Sequence, residues 1–146
     1  MSRKSIRAGV TGALVSVACA LALAGPVSAS GPGLFTASPN KLNCGAHLAG
    51  GVYGCGSVTF TNTTSQPLTI IGDNVEITGP NASDFGYNGT GFNIACASGV
   101  TIQPGQFCGI NVVFSPSAAG RHSATLNLFD GTSDQPEIVR VTGRAL

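Results

Sequence analysis

From residue 34 onward, apolar and polar positions alternate in short runs separated by turn residues. Leu34 opens an extended segment that breaks at Pro39, and Val58 and Phe60 alternate with polar neighbours up to Asn62-Thr63-Thr64-Ser65. Leu68 and Ile70 end at Gly72-Asp73-Asn74, and Val75 and Ile77 end at Gly79-Pro80. Phe85 and Tyr87 precede an Asn88-Gly89 turn, and Val100 and Ile102 lead into Pro104-Gly105. Cys108, Ile110, Val112 and Phe114 share one face of the next segment, followed by Ala124, Leu126 and Leu128 and finally Val139 and Val141. A period of two places successive side chains on opposite faces of a strand, and Gly, Pro, Asn and Asp supply the turns. No window longer than about ten residues holds apolar positions at helical spacing. Seven or eight short strands with one apolar face each predict an all-β chain, an immunoglobulin-like antiparallel β-sandwich.

The first 29 residues do not belong to that pattern. A basic start (Arg3, Lys4, Arg7) precedes an apolar stretch from about Val10 to Ala24, then Gly25-Pro26 and the small-residue triplet Val27-Ser28-Ala29. That order is the plan of a secretory signal peptide cleaved after Ala29, leaving residues 30–146 as one domain. The stretch is short for a membrane-spanning helix and is followed by Gly-Pro rather than charge. Ser16-Val17-Ala18 before Cys19 is a poor lipid-attachment motif, so Cys19 is read as an ordinary leader residue. No second apolar segment is long enough to span a bilayer, and none is expected to anchor the C-terminus.

Without the leader, Lys41, Arg121, Arg140 and Arg144 face six acidic residues, a net charge of −2 with the histidines neutral. These cations form no cluster along the sequence and do not interleave with aromatics, which argues against nucleic acid as a partner. Four cysteines remain, Cys44, Cys55, Cys96 and Cys108, in a chain read as exported, where disulfides form and persist. Their spacings of eleven and twelve residues fit neither a zinc knuckle nor a Cys-x-x-Cys redox pair. Four cysteines allow three pairings. Local pairing, Cys44 with Cys55 and Cys96 with Cys108, closes two natural loops and is the preferred reading.

Five segments, ASPNKLNCG, TFTNTTSQPLTI, VEITGPNASDF, IQPGQFCGINVVFSPSAAGRHSATLNL and VRVTG, follow one another in an order that resembles a known group. They are similar to the immunoglobulin-like domains of the ASH, Hydin and major-sperm-protein group, found in exported bacterial proteins as choice-of-anchor D. The most specific pieces are Pro104-Gly105 before Cys108, Val113-Phe114-Ser115-Pro116 before Gly120, and Asn81-Ala82-Ser83-Asp84-Phe85. The resemblance implies a β-sandwich used for binding, adhesion or scaffolding and implies no catalysis. Departures from the pattern are Cys44, where an aromatic is usual, and the loop CGAHLAGGVYGC with its second cysteine.

Candidates for chemistry are few. His47 and His122 lack a Gly-x-Ser-x-Gly elbow or a free cysteine and are expected to be solvated surface residues. Asp130-Gly131-Thr132-Ser133-Asp134 lacks the ligand spacing of a calcium loop and reads as a turn. Three Asn-x-Ser/Thr tripeptides, at Asn62, Asn81 and Asn88, fall at expected turns. Leu48, Val52 and Tyr53, in the loop between Cys44 and Cys55, are candidates for a small apolar contact patch; the alternative is that they cover one end of the sandwich.

The expectation is therefore a secreted, non-catalytic binding or scaffold module without a cofactor or metal. It would act at or outside the cell envelope on a protein or a wall polymer, with no stable membrane insertion after leader cleavage. The alternative is a secreted small-molecule carrier. Apoproteins of enediyne chromoproteins are also small two-disulfide sandwiches, and Leu128-Phe129-Asp130-Gly131-Thr132 is similar to a stretch in them.

Overall fold

The computed structural model describes residues 33–146, so the leader lies outside the described residues. Nine strands and one 3-10 turn follow in order: β1 (Phe35–Ser38), β2 (Lys41–His47), β3 (Tyr53–Asn62), β4 (Leu68–Thr78), the turn Ala82–Asp84, β5 (Phe85–Asn88), β6 (Thr101–Ile102), β7 (Phe107–Phe114), β8 (Gly120–Asp130) and β9 (Glu137–Ala145). They form two packed sheets, β1-β3-β7-β5 and β2-β9-β8-β4-β6. This is the all-β immunoglobulin-like sandwich that the alternation predicts. Strands pair antiparallel except β2, which runs parallel to β9 at a sheet edge. The chain crosses from the first sheet to the second between β1 and β2, at Pro39-Asn40.

The alternating apolar positions meet in one core. Val58 and Phe60 of β3 and Ile110, Val112 and Phe114 of β7 face Ile70 of β4, Leu126 and Leu128 of β8, and Val139 and Val141 of β9, all of them buried. Burying each such side chain contributes about 1.5–3 kcal/mol relative to leaving it exposed, so the interior of the sandwich carries the fold. Gly143 makes room for Phe114: a Cβ there would stand 2.7 Å from the ring.

Two segments differ from the expected elements. Leu68–Thr78 is one strand rather than two, because the Gly72-Asp73-Asn74 segment is absorbed as an irregularity between Ile70 and Val75 in the pairing with β8. Gly72 sits at φ 78°, a conformation glycine adopts without steric cost, so turn chemistry here serves a bulge. Lys41–His47 is a strand rather than part of a loop, held by its parallel pairing with β9.

Both local cysteine pairings are present, Cys44–Cys55 and Cys96–Cys108. The first joins strands β2 and β3, one from each sheet, so it ties the sheets together rather than closing an isolated loop. The second fastens the segment after β5 onto β7. Ala95 bridges Gly109 in parallel, the Gly109 N–H donates to the Ile94 carbonyl, and the Cys96 N–H donates to the Gly109 carbonyl. That segment satisfies β7 backbone groups beyond the end of β5, whose pairing with β7 stops at Asn111.

Candidate functional site

Three places gather side chains able to do something other than fill the core. The first is the end of the sandwich beside Cys44–Cys55. His47 stacks on Tyr53 with ring centroids 4.1 Å apart, its Nε2 donates to the Cys44 carbonyl, and the Tyr53 hydroxyl donates to the Leu48 carbonyl. The loop is thus held from both flanks, and the Gly50 N–H bonds the Pro116 carbonyl besides. Leu48 and Val52 stand 66% and 74% exposed, so they project from the end instead of covering it. Tyr53 is half-buried. The exposed Leu146 lies close by, its N–H bonded to the His47 carbonyl, an apolar neighbour that sequence order does not reveal.

The second place overturns the expectation of two solvated histidines. His122 is 6% exposed and its Nδ1 lies 2.8 Å from Asp84 Oδ2, with Asp84 itself buried. Nε2 faces the Ala118 carbonyl at 2.9 Å, and the Ser117 N–H donates to Asp84 Oδ1 at 3.1 Å. Among the described residues this is the only ion pair. The physical reason is phase: His122 is two residues before Ala124 and shares the inward face of β8 with Leu126 and Leu128. Burial pushes the Asp84 carboxyl up, but hydrogen bonds from Ser117 and His122 and the charge of His122 outweigh it and hold it below its ordinary value. With both ring nitrogens committed inside the fold, the pair holds the β7–β8 loop and offers no free base.

The third place is a pair of surface grooves. One, of about 570 Å³, crosses the outer face of the second sheet and is lined by Asn43, Ala46, Arg121, Ser123, Thr142 and Arg144, among others. The other, of about 530 Å³, lies beside Thr59 and Phe107 and is walled by Phe92 and Ile94. Phe92 rests on Gly109, where a Cβ would meet its ring at 2.1 Å, and Phe107 is half-exposed. The turn at Asp130 is filled by its own chain: Oδ1 accepts from the Thr132 N–H, the Thr132 hydroxyl and the Ser133 N–H. Among the described residues no three His, Cys, Asp or Glu side chains converge as a metal site would require, and no helix is long and apolar enough to cross a membrane.

No protein family and no curated protein matches the sequence. Solved structures do. The ASH/PapD-like domain 7 of human CEP192 aligns with 97% of this chain and 98% of its own length, at a TM-score of 0.53 and 9% identity. The Vibrio cholerae VesB protease aligns at 0.53 and 19% identity, and a family 123 glycoside hydrolase from Clostridium perfringens at 0.53 and 10%. These cover 77% and 73% of this chain but only 32% and 23% of the protease and the hydrolase, so the chain spans a third or less of either enzyme. What is shared is the fold. The immunoglobulin-like sandwich expected from the sequence is the architecture seen here, and at such identities nothing further transfers.

Proposed function

We propose that the chain is a secreted, non-catalytic binding module of the choice-of-anchor D type, released by cleavage after Ala29 and acting at or outside the cell envelope. Its partner is a protein or a wall polymer. The observation that carries this reading is the contrast between a filled interior and side chains left on the outside. The core is closed by Phe, Ile, Leu and Val and stapled by two disulfides, which favours an oxidising compartment. The polar groove and the projecting Leu48–Val52 loop are left to meet a partner. The carrier alternative ranks behind, since both grooves are walled largely by exposed residues rather than sunk between the sheets.

The test is the distribution of the protein between culture medium, isolated wall and membrane. Retention on protein-stripped wall supports a polymer partner, and retention only on intact envelope supports a protein partner. Free protein carrying a small molecule, detected by mass, would replace this reading with the carrier.

A further inference from the structure

The four basic residues outside the leader are scattered along the sequence, yet the sheet register brings them to one surface. Lys41 of β2 lies opposite Arg140 of β9, and Arg121 of β8 lies opposite Arg144 of β9. Arg140 and Arg144 are four residues apart on one strand and so share its outer face. All four are exposed, and among the described residues none has a carboxylate partner. Of the acids, Asp84 and Asp130 are buried, Glu137 Oε1 accepts the Ala37 N–H, and Asp134 is exposed in the β8–β9 turn, before the start of β9 and six residues from Arg140. Glu76 sits on the same outer face but on β4, opposite Asn127, beyond β8 from the stripe. A chain with net negative charge outside its leader thus shows one cationic face.

We infer that this face binds an extended acyclic polyol-phosphate polymer of the envelope, a ligand with phosphodiester anions in series and hydroxyls between them. The inference rests on the binding-module reading and names its partner. The two cation pairs are roughly 13 Å apart along β9 at the rise of a strand, too far for one anion to satisfy both. Arginine forks suit phosphate oxygens, and three of the four cations are arginines. The groove between β2, β9 and β8 adds Asn43, Ser123 and Thr142, uncharged groups matched to a polyol. Phe129 is the one aromatic in the outward phase of β8 and β9, at the Asp130 end and eight residues from Arg121; the outward positions beside the cations (Arg121, Ser123, Thr125, Arg140, Thr142 and Arg144) carry no aromatic side chains. Sugar rings and nucleic-acid bases are held by stacking on such side chains, so their absence favours an acyclic backbone.

The experiment titrates poly(glycerol phosphate) into the full chain as its host processes it, at about 50 mM and about 200 mM salt. Polyglutamate, polygalacturonate and single-stranded DNA of matched charge serve as comparators. Saturable binding that weakens with salt is expected, and Arg121→Gln with Arg144→Gln should weaken it about tenfold or more while leaving the melting midpoint in place. Arg121→Lys with Arg144→Lys keeps the charge and should restore part of the affinity. No binding at low salt, or binding indifferent to these substitutions, overturns the inference, as do comparators that bind equally well. Envelope retention of the wild type, measured in parallel, separates the two readings. Retention without polymer binding removes this inference alone, whereas absence of retention removes the binding module at the envelope.

Discussion

The two disulfides close nearly equal stretches of chain, with separations of 11 and 12, and do different work. Cys96 and Cys108 are both buried, and their bridge holds the post-β5 segment against β7 with Phe92 seated on Gly109. Cys44 is buried but Cys55 is half-buried, and their bridge crosses between sheets beside a loop whose apolar side chains face solvent. Because the closed loops match, the entropy removed from the unfolded chain matches as well. Any difference in stabilisation therefore comes from what surrounds each sulfur. The comparison teaches that one bridge lies wholly in the core, whereas the other runs from the core at Cys44 to the half-buried rim at Cys55.

The largest effect is expected for Cys96→Ser with Cys108→Ser. Losing the closure costs about 3 kcal/mol, and placing hydroxyls at buried sites adds about 1–3 kcal/mol. Cys44→Ser with Cys55→Ser should cost less, about 3 kcal/mol from the closure and the penalty of one buried hydroxyl, at Cys44, rather than two. Equal losses in denaturant unfolding would break the comparison.

Asp84→Asn sharpens it from the exposed end, since Asp84 holds Ser117 and so the segment whose Pro116 carbonyl accepts Gly50. A loss of about 2 kcal/mol is expected at neutral pH, the range for hydrogen bonds to a charged group. The folded Asp84 carboxyl lies below its unfolded value, so its contribution is complete above the ordinary carboxylate value of about 4 and is lost as pH falls through the folded one. Melting curves of wild type and Asp84→Asn should therefore converge in acid. Curves that stay parallel would count against the assignment.

Smaller effects distinguish the glycines of the two regions. Gly109→Ala drives a Cβ into the Phe92 ring and should cost about 1.5 kcal/mol, an overpacking effect. Gly54→Ala, beside Cys55, meets nothing within 4 Å and should change the melting midpoint little. The smallest effect belongs to Leu48→Ser with Val52→Ser, within about 0.5 kcal/mol, because exposed side chains surrender no burial. A larger loss would mean the end loop is packed after all.

How far the sequence could be read follows from what alternation records. β1, β5, β7, β8 and β9 were legible because each alternates apolar with polar, and the cysteine pairing because local loops suited it. β2 was hidden, since only Cys44 among its seven residues is buried and its partner is a parallel strand distant in sequence. Gly72-Asp73-Asn74 has the chemistry of a hairpin turn, and only the pairing with β8 shows it is a bulge. The burial of His122 did leave a signal, its phase with Ala124, Leu126 and Leu128. The cationic face left none, because cross-strand register is a property of the assembled sheet.

Asn62 has a consequence for how the protein is made. Its side chain is sealed in the fold: Nδ2 donates to the Gln66 and Ile102 carbonyls, and Oδ1 accepts from the Thr64 N–H and hydroxyl. Yet Asn62-Thr63-Thr64 is an acceptor tripeptide for N-glycosylation, as is Asn88-Gly89-Thr90, where the asparagine is exposed. In a eukaryotic secretory host, a glycan attached at Asn62 during translocation would leave Nδ2 one N–H for two carbonyls and place a sugar where the side chain is fully buried, so those chains could not close the native turn. A glycan at Asn88 would ride on the surface. Choice of production host thus becomes a structural decision, settled by one buried amide.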